Sequence, residues 1–352
     1  MRIQRHLLAV AAAAALIVSI ALDMPQSSAQ AQTKITVGKV VGGVGLHIPS
    51  YIAMDKGFFK EEGLDARFVE LAGRPLMTAG LSGNVDFIPI PSGGAQAVLS
   101  GAKLRYVVGQ SLKPQWIIVT KPDIKKVEDL RGKTLGYARV GAADYDEGAT
   151  TLDRFFNMKV GKDYKVISFQ GEPERIAAMI NGDIAGALVS VPRAYQAKQA
   201  GFNVLLRTGD YLPRAGGTFW STEEFFQKNP ETVKKFIRAI AKGATYYRDH
   251  KAESIPTMKQ HLGVQSDEEA SVLWDELRNT FGAEIPPGLF REIFESRRLD
   301  MIAANQWAKD KPLPDPEQYV ARAMLDSTLK EMGYVPAKLD AKPNTKPNTK
   351  PK

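Results

Sequence analysis

Residues 85–101 read VDFIPIPSGGAQAVLSG, and this stretch shows most clearly how a strand passes into a helix in this chain. The apolar run 85–90 predicts a short buried strand, and the small residues 93–100 predict a helix. Pro91 lacks a backbone N–H and two glycines follow it, so the helix begins with bare backbone. In open parallel sheets, ligands bind beyond the carboxyl ends of strands, where such helices begin. The stretch therefore predicts an α/β sheet with an open helix amino end.

Strands and helices alternate twice along the chain on either side of this stretch. The predicted strands are 34–40, 66–71, 85–90 and 104–109 in the first cycle, and 116–120, 134–138, 165–169, 186–190 and 203–207 in the second. This alternation predicts βαβ units and mostly parallel sheets. The segment LSGNVDF at 81–87 resembles INGDIAG at 180–186, which suggests an internal duplication. After Gly216 only helices are predicted, as a cover over one lobe.

Four strand-to-helix junctions have the form seen at Pro91, two in each cycle. They are residues 41–47, 91–94, 139–142 and 190–192. The amino end of a helix carries unpaired N–H groups and the positive end of the helix dipole, and both attract anions. If the two cycles are two lobes, the junctions face each other across a cleft. We therefore expect an anion-binding cleft between the lobes.

The first residues have the features of a secretory signal peptide. Arg2 and Arg5 precede the apolar run 7–22, and a small-x-small site ends at Ala31. The run is shorter than the ~20 residues that a membrane-spanning helix needs. Residues 1–31 are therefore predicted to be a cleavable signal peptide, with an uncleaved anchor as the alternative. The sequence has no cysteine for lipid attachment or disulfides, so we expect a periplasmic protein of a Gram-negative bacterium.

The net charge of +8 does not indicate a nucleic-acid-binding surface, because about half of it lies in the tail 337–352. This tail repeats Lys-Pro-Asn-Thr and is predicted to be disordered. Nucleic acid is therefore not an expected partner.

The run 51–65, YIAMDKGFFKEEGLD, resembles the opening signature of the solute-binding proteins of nitrate, sulfonate and taurine ABC transporters. Further matches follow in order at 81–87, 129–133, 182–184 and 229–230, although Ala185 stands where an aspartate is usual. The resemblance is to the NMT1/THI5-like, type II periplasmic binding proteins. It implies an α/β fold of two lobes, each a mostly parallel sheet with flanking helices, with a C-terminal helical cover.

The resemblance also implies a division of the chain and a partner. Lobe 1 would comprise residues 32–112 and 215–336, and lobe 2 residues 113–214, with crossing segments near 110–115 and 208–217. The protein would be a monomer that closes around a small organic anion by hinge motion and delivers it to an inner-membrane permease. Sulfonate or taurine, nitrate and carboxylate remain open as ligands.

The candidate ligand contacts lie at the four junctions and the crossings. They are Gly45, Leu46, His47, Ser92, Gly93, Trp116, Arg139, Gly141, Ala142, Ser190 and Arg214. Arg139 suits a carboxylate or sulfonate, but an ion pair with Asp144 or Asp146 is the alternative. If Asp144, Asp146 and Glu147 face the cleft, the ligand carries an amine as well.

The other candidates have simpler alternatives. Ser92 would instead cap its helix, which is the commonest use of a serine at such a position. His47 and Arg214 would lie at the surface, and Trp116 would pack at the hinge.

The sequence favours a binding protein over an enzyme. Beyond residue 31 only His47, His250 and His261 remain, and their spacing fits no metal site. There is no Gly-x-Ser-x-Gly elbow and no P-loop, and residues 43–48 lack the last glycine of a dinucleotide fingerprint. No cofactor or metal is expected. The alternatives are a pyrimidine or thiamine-precursor binding protein, or an enzyme of the same fold.

Overall fold

The structure, a computed structural model, describes residues 32–41, 44–139 and 142–338. From Thr33 onward these residues belong to one compact unit. Within the described ranges, no helix is long and apolar enough to cross a membrane. The predicted signal peptide and almost all of the predicted tail lie outside the described residues.

The first cycle of strands and helices builds most of one lobe. In chain order its elements are β1 (Thr33–Val40), α1 (Ile48–Asp55), α2 (Phe58–Glu61), β2 (Leu64–Leu71), α3 (Gly73–Leu81), α4 (Pro91–Leu99) and β3 (Leu104–Ser111). Strands β1 and β2 are parallel. Gly57 separates α1 from α2 with a φ of 77°, the left-handed conformation that glycine adopts without strain.

The second cycle builds the other lobe. Its elements are β4 (Ile117–Thr120), β5 (Thr134–Tyr137), α5 (Ala143–Phe156), β6 (Lys165–Ser168), α6 (Glu172–Asn181), β7 (Gly186–Val189), α7 (Val191–Gln199) and β8 (Asn203–Arg207). The strands form one sheet in the order β6-β5-β7-β4-β8. Strand β5 is parallel to β6 and β7, and β4 is antiparallel to β7 and β8.

The chain then returns to the first lobe and ends in helices. These elements are β9 (Gly217–Thr222), α8 (Glu223–Lys228), α9 (Pro230–Asp249), α10 (Lys251–Leu262), α11 (Asp267–Leu277), α12 (Arg291–Ala303) and α13 (Arg322–Glu331). The prediction of helices alone after Gly216 was wrong, because β9 pairs antiparallel with β3. Phe219 and Trp220 in β9 are wholly buried, and aromatic residues suit a strand inside a sheet.

The two lobes have the same strand order. Phe87 bridges to Val37 of β1, and Ile88 bridges to Trp220 of β9, so the first sheet runs β2-β1-(87–88)-β9-β3. The predicted strand 85–90 is reduced to this short bridge. Pro89 and Pro91 have no N–H to donate to a ladder. The order matches β6-β5-β7-β4-β8 strand for strand, as the sequence repeat suggested.

The helices after β9 pack on both lobes. Gly243 lets α9 lie directly against α1, since a Cβ at this position would come within 2.2 Å of the Pro49 carbonyl oxygen. Helices α10 and α11 contact α1 and α7, respectively, and α12 packs along α4. The chain passes between the lobes at 112–116 and 208–216, here called the first and second crossings. The residue limits given above for lobe 1 and lobe 2 stay a prediction.

Candidate ligand-binding cleft

The junctions that follow β1 and β7 come together at Gly45. This residue lies in the 3₁₀ turn Val44–His47, directly before α1. A Cβ built on Gly45 would lie 3.2 Å from Gln115 Oε1 and 3.9 Å from Pro192 Cδ. Gln115 belongs to the first crossing and Pro192 to the first turn of α7. The loop of the first lobe therefore touches both the hinge and the second lobe at this point.

The helices that follow the other two junctions, α4 and α5, border a single groove. Gln96 of α4 and Tyr145 and Asp146 of α5 line a space of about 1270 Å³, and α12 forms its third wall. Helices α4 and α5 thus approach the same space from different lobes. Two of the junctions therefore approach each other near Gly45, and the helices that follow the other two border one groove.

The helices at these junctions begin without a side-chain cap. Their N-cap residues are His47, Ile90, Ala142 and Ser190, and none of the four side chains accepts a hydrogen bond from its helix. By contrast, Thr222 caps α8 and Ser266 caps α11. Helices α3 and α6 also lack such a cap, so the position beside the cleft, and not the missing cap, marks the site.

Ser92 and Gly93 lie in the first turn of α4 and are partly buried. Ser92 is not the cap of its helix, because Ile90 occupies that position. A Cβ on Gly93 would lie 2.5 Å from Met77 Sδ, so this glycine allows α4 to approach α3 closely. The first turn of an α-helix leaves its N–H groups without intrahelical partners. The start of α4 is therefore free to bind an acceptor.

His47 is wholly buried and connects the first strand to β3, which carries Gln110. The N–H of Val40 donates to its Nε2 at 3.1 Å, and its Nδ1 lies 3.3 Å from Gln110 Nε2. Burial, helped by the charge of Lys39, lowers the pKa of His47 to about 3. The ring is therefore neutral at pH 7, and it positions the loop instead of presenting a charge to the cleft.

Arg214, in the second crossing, is at the centre of a buried ion cluster. Only 2% of its side chain is exposed. Its guanidinium lies 2.7 Å from Asp146, 3.1 Å from Glu292 and 3.6 Å from Glu147. Asp146 is also bonded to Arg297 of α12. Arg214 therefore ties the hinge to α5 and α12, and it is neither a surface residue nor open to a ligand in this conformation.

Glu147 is the unusual member of the ion cluster. Burial raises its pKa to about 8, and the nearby carboxylates of Asp146 and Glu292 act in the same direction, against the charge of Arg214. Its Oε2 lies 3.5 Å from the hydroxyl of Thr208. At neutral pH Glu147 is therefore mostly protonated. The acids of α5 face their own arginines here, so they do not provide a free site for an amine.

Carboxylates of the protein occupy the junctions of the second lobe. The N–H and hydroxyl of Ser190 donate to Glu172 at 2.9 and 2.7 Å. Asp144 pairs with Arg175 at 2.7 Å and accepts the N–H of Ala138 at 3.1 Å. An added anion would be repelled by these buried acids. Among the described residues no carboxylate is hydrogen-bonded to the start of α4 in the first lobe, and this is therefore the more favourable position for an anion.

The remaining candidate ligand contacts differ in their burial and in their partners. Arg139 is exposed and has no ion pair among residues 44–139 and 142–338, so the pairing with Asp144 or Asp146 does not occur. Trp116 packs in the core of the second lobe, which is the structural alternative. Leu46 and Ala142 are partly buried at their junctions. Gly141 lies outside the described residues.

Sequence analysis did not find the wall that α12 forms. Glu292 and Arg297 stand about 150 residues after α5, and no motif links the two segments. Gln115 was also missed, although its Oε1 is buried without a hydrogen-bond partner in the described part of the chain. Its position within the predicted crossing is the one signal that points to it.

Comparison with known proteins places the chain in a family. A family model described as NMT1/THI5 like matches residues 45–254, more than half of the 352 residues. Over 239 residues the chain is 26% identical to YtlA of Bacillus subtilis (strain 168), which is named as a binding protein, and the match covers 63% of this chain and 69% of YtlA. Over 320 residues it is 23% identical to the 4-amino-5-hydroxymethyl-2-methylpyrimidine phosphate synthase of Candida albicans (strain WO-1), covering 77% and 88%.

Solved structures show the same fold. The periplasmic aliphatic sulphonate binding protein SsuA from Escherichia coli matches with a TM-score of 0.67 and 17% identity, over 84% of this chain and 99% of SsuA. The periplasmic nitrate-binding protein NrtA from Synechocystis PCC 6803 matches with a TM-score of 0.67 and 13% identity, over 86% and 89%. These matches confirm the predicted two-lobed α/β fold. The chain belongs to the NMT1/THI5-like family.

Proposed function

We propose that this protein is the periplasmic substrate-binding component of an ABC importer. It captures a small organic anion of the sulfonate, nitrate or carboxylate type between its lobes and delivers it to an inner-membrane permease. The observation that carries the proposal is the start of α4, one turn before the groove residue Gln96, where within the described residues no side chain caps the helix and no carboxylate is hydrogen-bonded to it. It is supported by the binding functions named for two proteins of the same fold, the sulphonate-binding SsuA and the nitrate-binding NrtA.

Ligand capture would use the two crossings as the hinge. Lobe 1 then comprises 32–112 and 215–336, and lobe 2 comprises 113–214. Closure works only if the closed form binds the ligand more tightly than the open form. We propose that an anion at the start of α4 meets this requirement through added contacts with α5, because Tyr145 and Asp146 line the same groove as Gln96. Micromolar affinity corresponds to roughly −8 kcal/mol, which a few charge-assisted hydrogen bonds and shape complementarity can supply.

A thermal-shift screen tests this proposal. The purified protein is heated with methanesulfonate, taurine, nitrate or benzoate, each at millimolar concentration. A ligand that binds only the folded state raises the melting temperature. We expect at least one anion to do so. Stabilisation by neutral or cationic solutes alone would contradict an anion receptor.

A matched pair of variants then locates the binding site. Ser92→Asp places a carboxylate in the first turn of α4, where it competes with an anion for the same N–H groups. We expect the anion-dependent shift to disappear. Ser266→Asp makes the same change at the capped start of α11, away from the cleft, and should leave the shift unchanged. Equal shifts in both variants would remove α4 from the site.

Pyrimidine chemistry is the second candidate function. Its support is the match to the pyrimidine phosphate synthases, which reaches 88% of the Candida albicans protein. Two features count against an enzyme of this kind. The chain has no cysteine that could take part in the reaction, and the buried His47 is not available for it because protein groups face both of its ring nitrogens. Incubation with a pyrimidine that raises the melting temperature, followed by mass spectrometry, distinguishes the two. Chemical change of the bound compound would favour an enzyme, and recovery of intact compound would favour a receptor.

A further inference from the structure

One edge of the five-stranded sheet is strongly basic. Strands β5, β6, β7 and β8 begin at this edge and β4 ends there, so it lies at the opposite end of the sheet from the junctions 139–142 and 190–192. The segments at this edge, here called the basic edge, are 121–133, 157–165, 181–185 and 198–202. They contain nine basic and five acidic residues, whereas residues 32–336 as a whole have a net charge of only +3. The positive charge of this part of the chain is therefore concentrated at the basic edge.

The equivalent edge of the first lobe has the opposite charge. Strands β1, β2 and β3 begin there and β9 ends there, as in the second lobe. The segments at this edge, which are 60–65, 82–86, 100–103 and 222–224, contain two basic and six acidic residues. Because the two lobes share one architecture, the fold itself does not require a basic edge. Attraction of a negatively charged partner gives the second lobe a reason to have one.

Most lysines of the basic edge are free to meet a partner. Six of them are exposed and have no ion pair within the described ranges, namely Lys125, Lys126, Lys133, Lys162, Lys165 and Lys198. The N–H of Lys165 donates to the carbonyl oxygen of Lys133 at 2.8 Å, so these two lysines are neighbours. The pKa of Asp129 is lowered by the N–H groups of Lys125 and Lys126 and by the charges of Lys126 and Lys133. The lysines therefore form a cluster and are not scattered.

Two acids of the basic edge are used within the protein. Asp129 accepts two backbone N–H groups of its own turn at 3.0 and 3.2 Å. Asp163 accepts the N–H of Lys159 at 2.9 Å and pairs with Arg131. The exposed acids of the edge are Asp123, Glu128 and Asp183. Six unpaired lysines thus face the solvent with three exposed carboxylates, and the surface stays positive.

Two exposed isoleucines lie beside these lysines. Ile167 is 47% exposed and stands two residues after Lys165 in the edge strand β6, so both side chains are on one face of the strand. Ile180, at the end of α6, is 63% exposed. Two residues later, the carbonyl oxygen of Gly182 accepts the side chain of Lys121 at 3.3 Å. Surfaces that lie on membranes combine apolar side chains with lysines in this way.

The type of cation also favours a membrane over a protein partner. Lysine is a hydrated point charge on a flexible stem, whereas the planar guanidinium of arginine suits defined bidentate contacts. The basic edge has eight lysines and one arginine, and that arginine is paired with Asp163. Flexible point charges fit a fluid layer of phosphate headgroups better than the fixed carboxylates of an acidic protein.

We propose that the basic edge is a docking surface for a membrane that contains anionic phospholipid. The unpaired lysines meet the headgroup phosphates, and Ile167 and Ile180 enter the headgroup region. Because the edge lies at the far end of the second lobe from the cleft, docking leaves the cleft accessible. The protein can then stay at a membrane surface while its lobes bind and release a ligand. This inference goes beyond the proposed function and does not depend on the identity of the ligand.

Co-sedimentation with lipid vesicles tests this inference. The purified full chain is mixed with phosphatidylcholine vesicles that either contain or lack phosphatidylglycerol. We expect binding only to the vesicles with phosphatidylglycerol, and release in about 1 M salt, where the Debye length falls to ~3 Å. Equal binding to both kinds of vesicle, or binding that survives the salt, would overturn the inference. No binding to either kind, as expected for a surface that takes an acidic protein instead, would also overturn it.

A triple variant locates the lipid contact. Changing Lys125, Lys126 and Lys133 to glutamine removes three exposed charges from the basic edge. Because each lysine at an anionic surface contributes separately to binding, we expect the affinity for phosphatidylglycerol vesicles to fall at least tenfold. The melting temperature should stay that of the unmodified protein, which shows that the variant is folded.

A second triple variant is the matched control. Changing Lys60, Lys103 and Lys330 to glutamine removes the same charge at exposed positions that have no ion pair in the described part of the chain. This variant should bind the vesicles as the unmodified protein does. Equal binding by the two triple variants, whether strong or weak, would overturn the inference, because the net charge or the tail 337–352 would then account for the binding.

Discussion

His47 connects the end of β1 to β3, because one ring nitrogen contacts the N–H of Val40 and the other lies beside the side-chain amide of Gln110. Because the N–H of Val40 donates to Nε2, the neutral ring carries its proton on Nδ1, and the Gln110 amide accepts that proton only when its oxygen, not its nitrogen, faces the ring. A second proton would have to sit on Nε2, facing that N–H. The histidine therefore fixes the position of the loop that contains Gly45, and protonation breaks this connection.

His47 should make the protein sensitive to acid. Its pKa of about 3 in the folded state lies below the unfolded value of 6.5, so the unfolded chain binds the extra proton first. Stability from this residue is present above pH 6.5 and is lost as the pH falls toward 3. Urea unfolding should show His47 contributing about 2 kcal/mol to the loss between pH 7 and pH 5.

The variant His47→Gln should lack this part of the pH dependence, whatever its stability at pH 7. The control His250→Gln changes an exposed histidine at the end of α9 and should retain it. The same loss between pH 7 and pH 5 in His47→Gln and in the unmodified protein would show that His47 titrates normally.

Glu147 should have the opposite effect. Its folded pKa of about 8 lies above the unfolded value of 4.5, so the folded protein holds the proton longer. Stability from this group is present below pH 4.5 and is lost as the pH rises toward 8. Glu147→Gln, which keeps the shape and cannot ionise, should gain about 1.4 kcal/mol per pH unit relative to the unmodified protein over this range. Chemical unfolding at pH 5 and pH 8 measures the difference, and a constant difference would contradict a buried, protonated Glu147.

At the candidate site, some residues could be predicted from the sequence and others could not. The junction residues could be predicted as candidates because proline and glycine after a strand have a direct structural meaning. Arg214 was expected to contact a ligand, yet it is buried with Asp146, Glu147 and Glu292, which come from two other segments. The pairing of distant charges leaves no local pattern, so sequence reasoning could not assign it.

The contact between α9 and α1 depends on the absence of a side chain. Because a Cβ at Gly243 would lie 2.2 Å from the Pro49 carbonyl oxygen, Gly243→Ala must push the two helices apart. Overpacking of this kind costs about 1–3 kcal/mol. The melting temperature should fall accordingly. Gly73→Ala adds the same methyl group at the start of α3, where no atom lies within 4 Å, and should be nearly neutral. An equal effect of both changes would contradict close packing of α9 on α1.

Most elements could be predicted from local patterns, and the exceptions have physical reasons. Alternating apolar runs gave the βαβ order of both lobes. Strand β9 was missed because its run GTFWST is short and stands directly before a series of helices. The bridge at Phe87 and Ile88 was predicted too long, because the prolines that end it also remove ladder hydrogen bonds. The wall formed by α12 depends on tertiary packing alone.

The two lobes share one architecture and are joined by contacts of different kinds. Near Gly45 the lobes touch directly. At the groove they are joined by ion pairs of α5 with α12, including Arg154 with Glu292 at 2.7 Å. Opening the cleft would break these ion pairs, and an anion at α4 would oppose that opening. The proposed function therefore requires that an anion shift the protein toward a closed arrangement of the lobes.

The distance between the lobes measures this shift most directly. The chain has no cysteine, so the exposed positions Lys60 in the first lobe and Lys125 in the second can be changed to cysteine and spin-labelled specifically. Double electron–electron resonance should give a broad distance distribution without ligand. It should become narrower and shift on saturation with the anion that most raises the melting temperature. An unchanged distribution with saturating anion would contradict capture of a ligand between closing lobes.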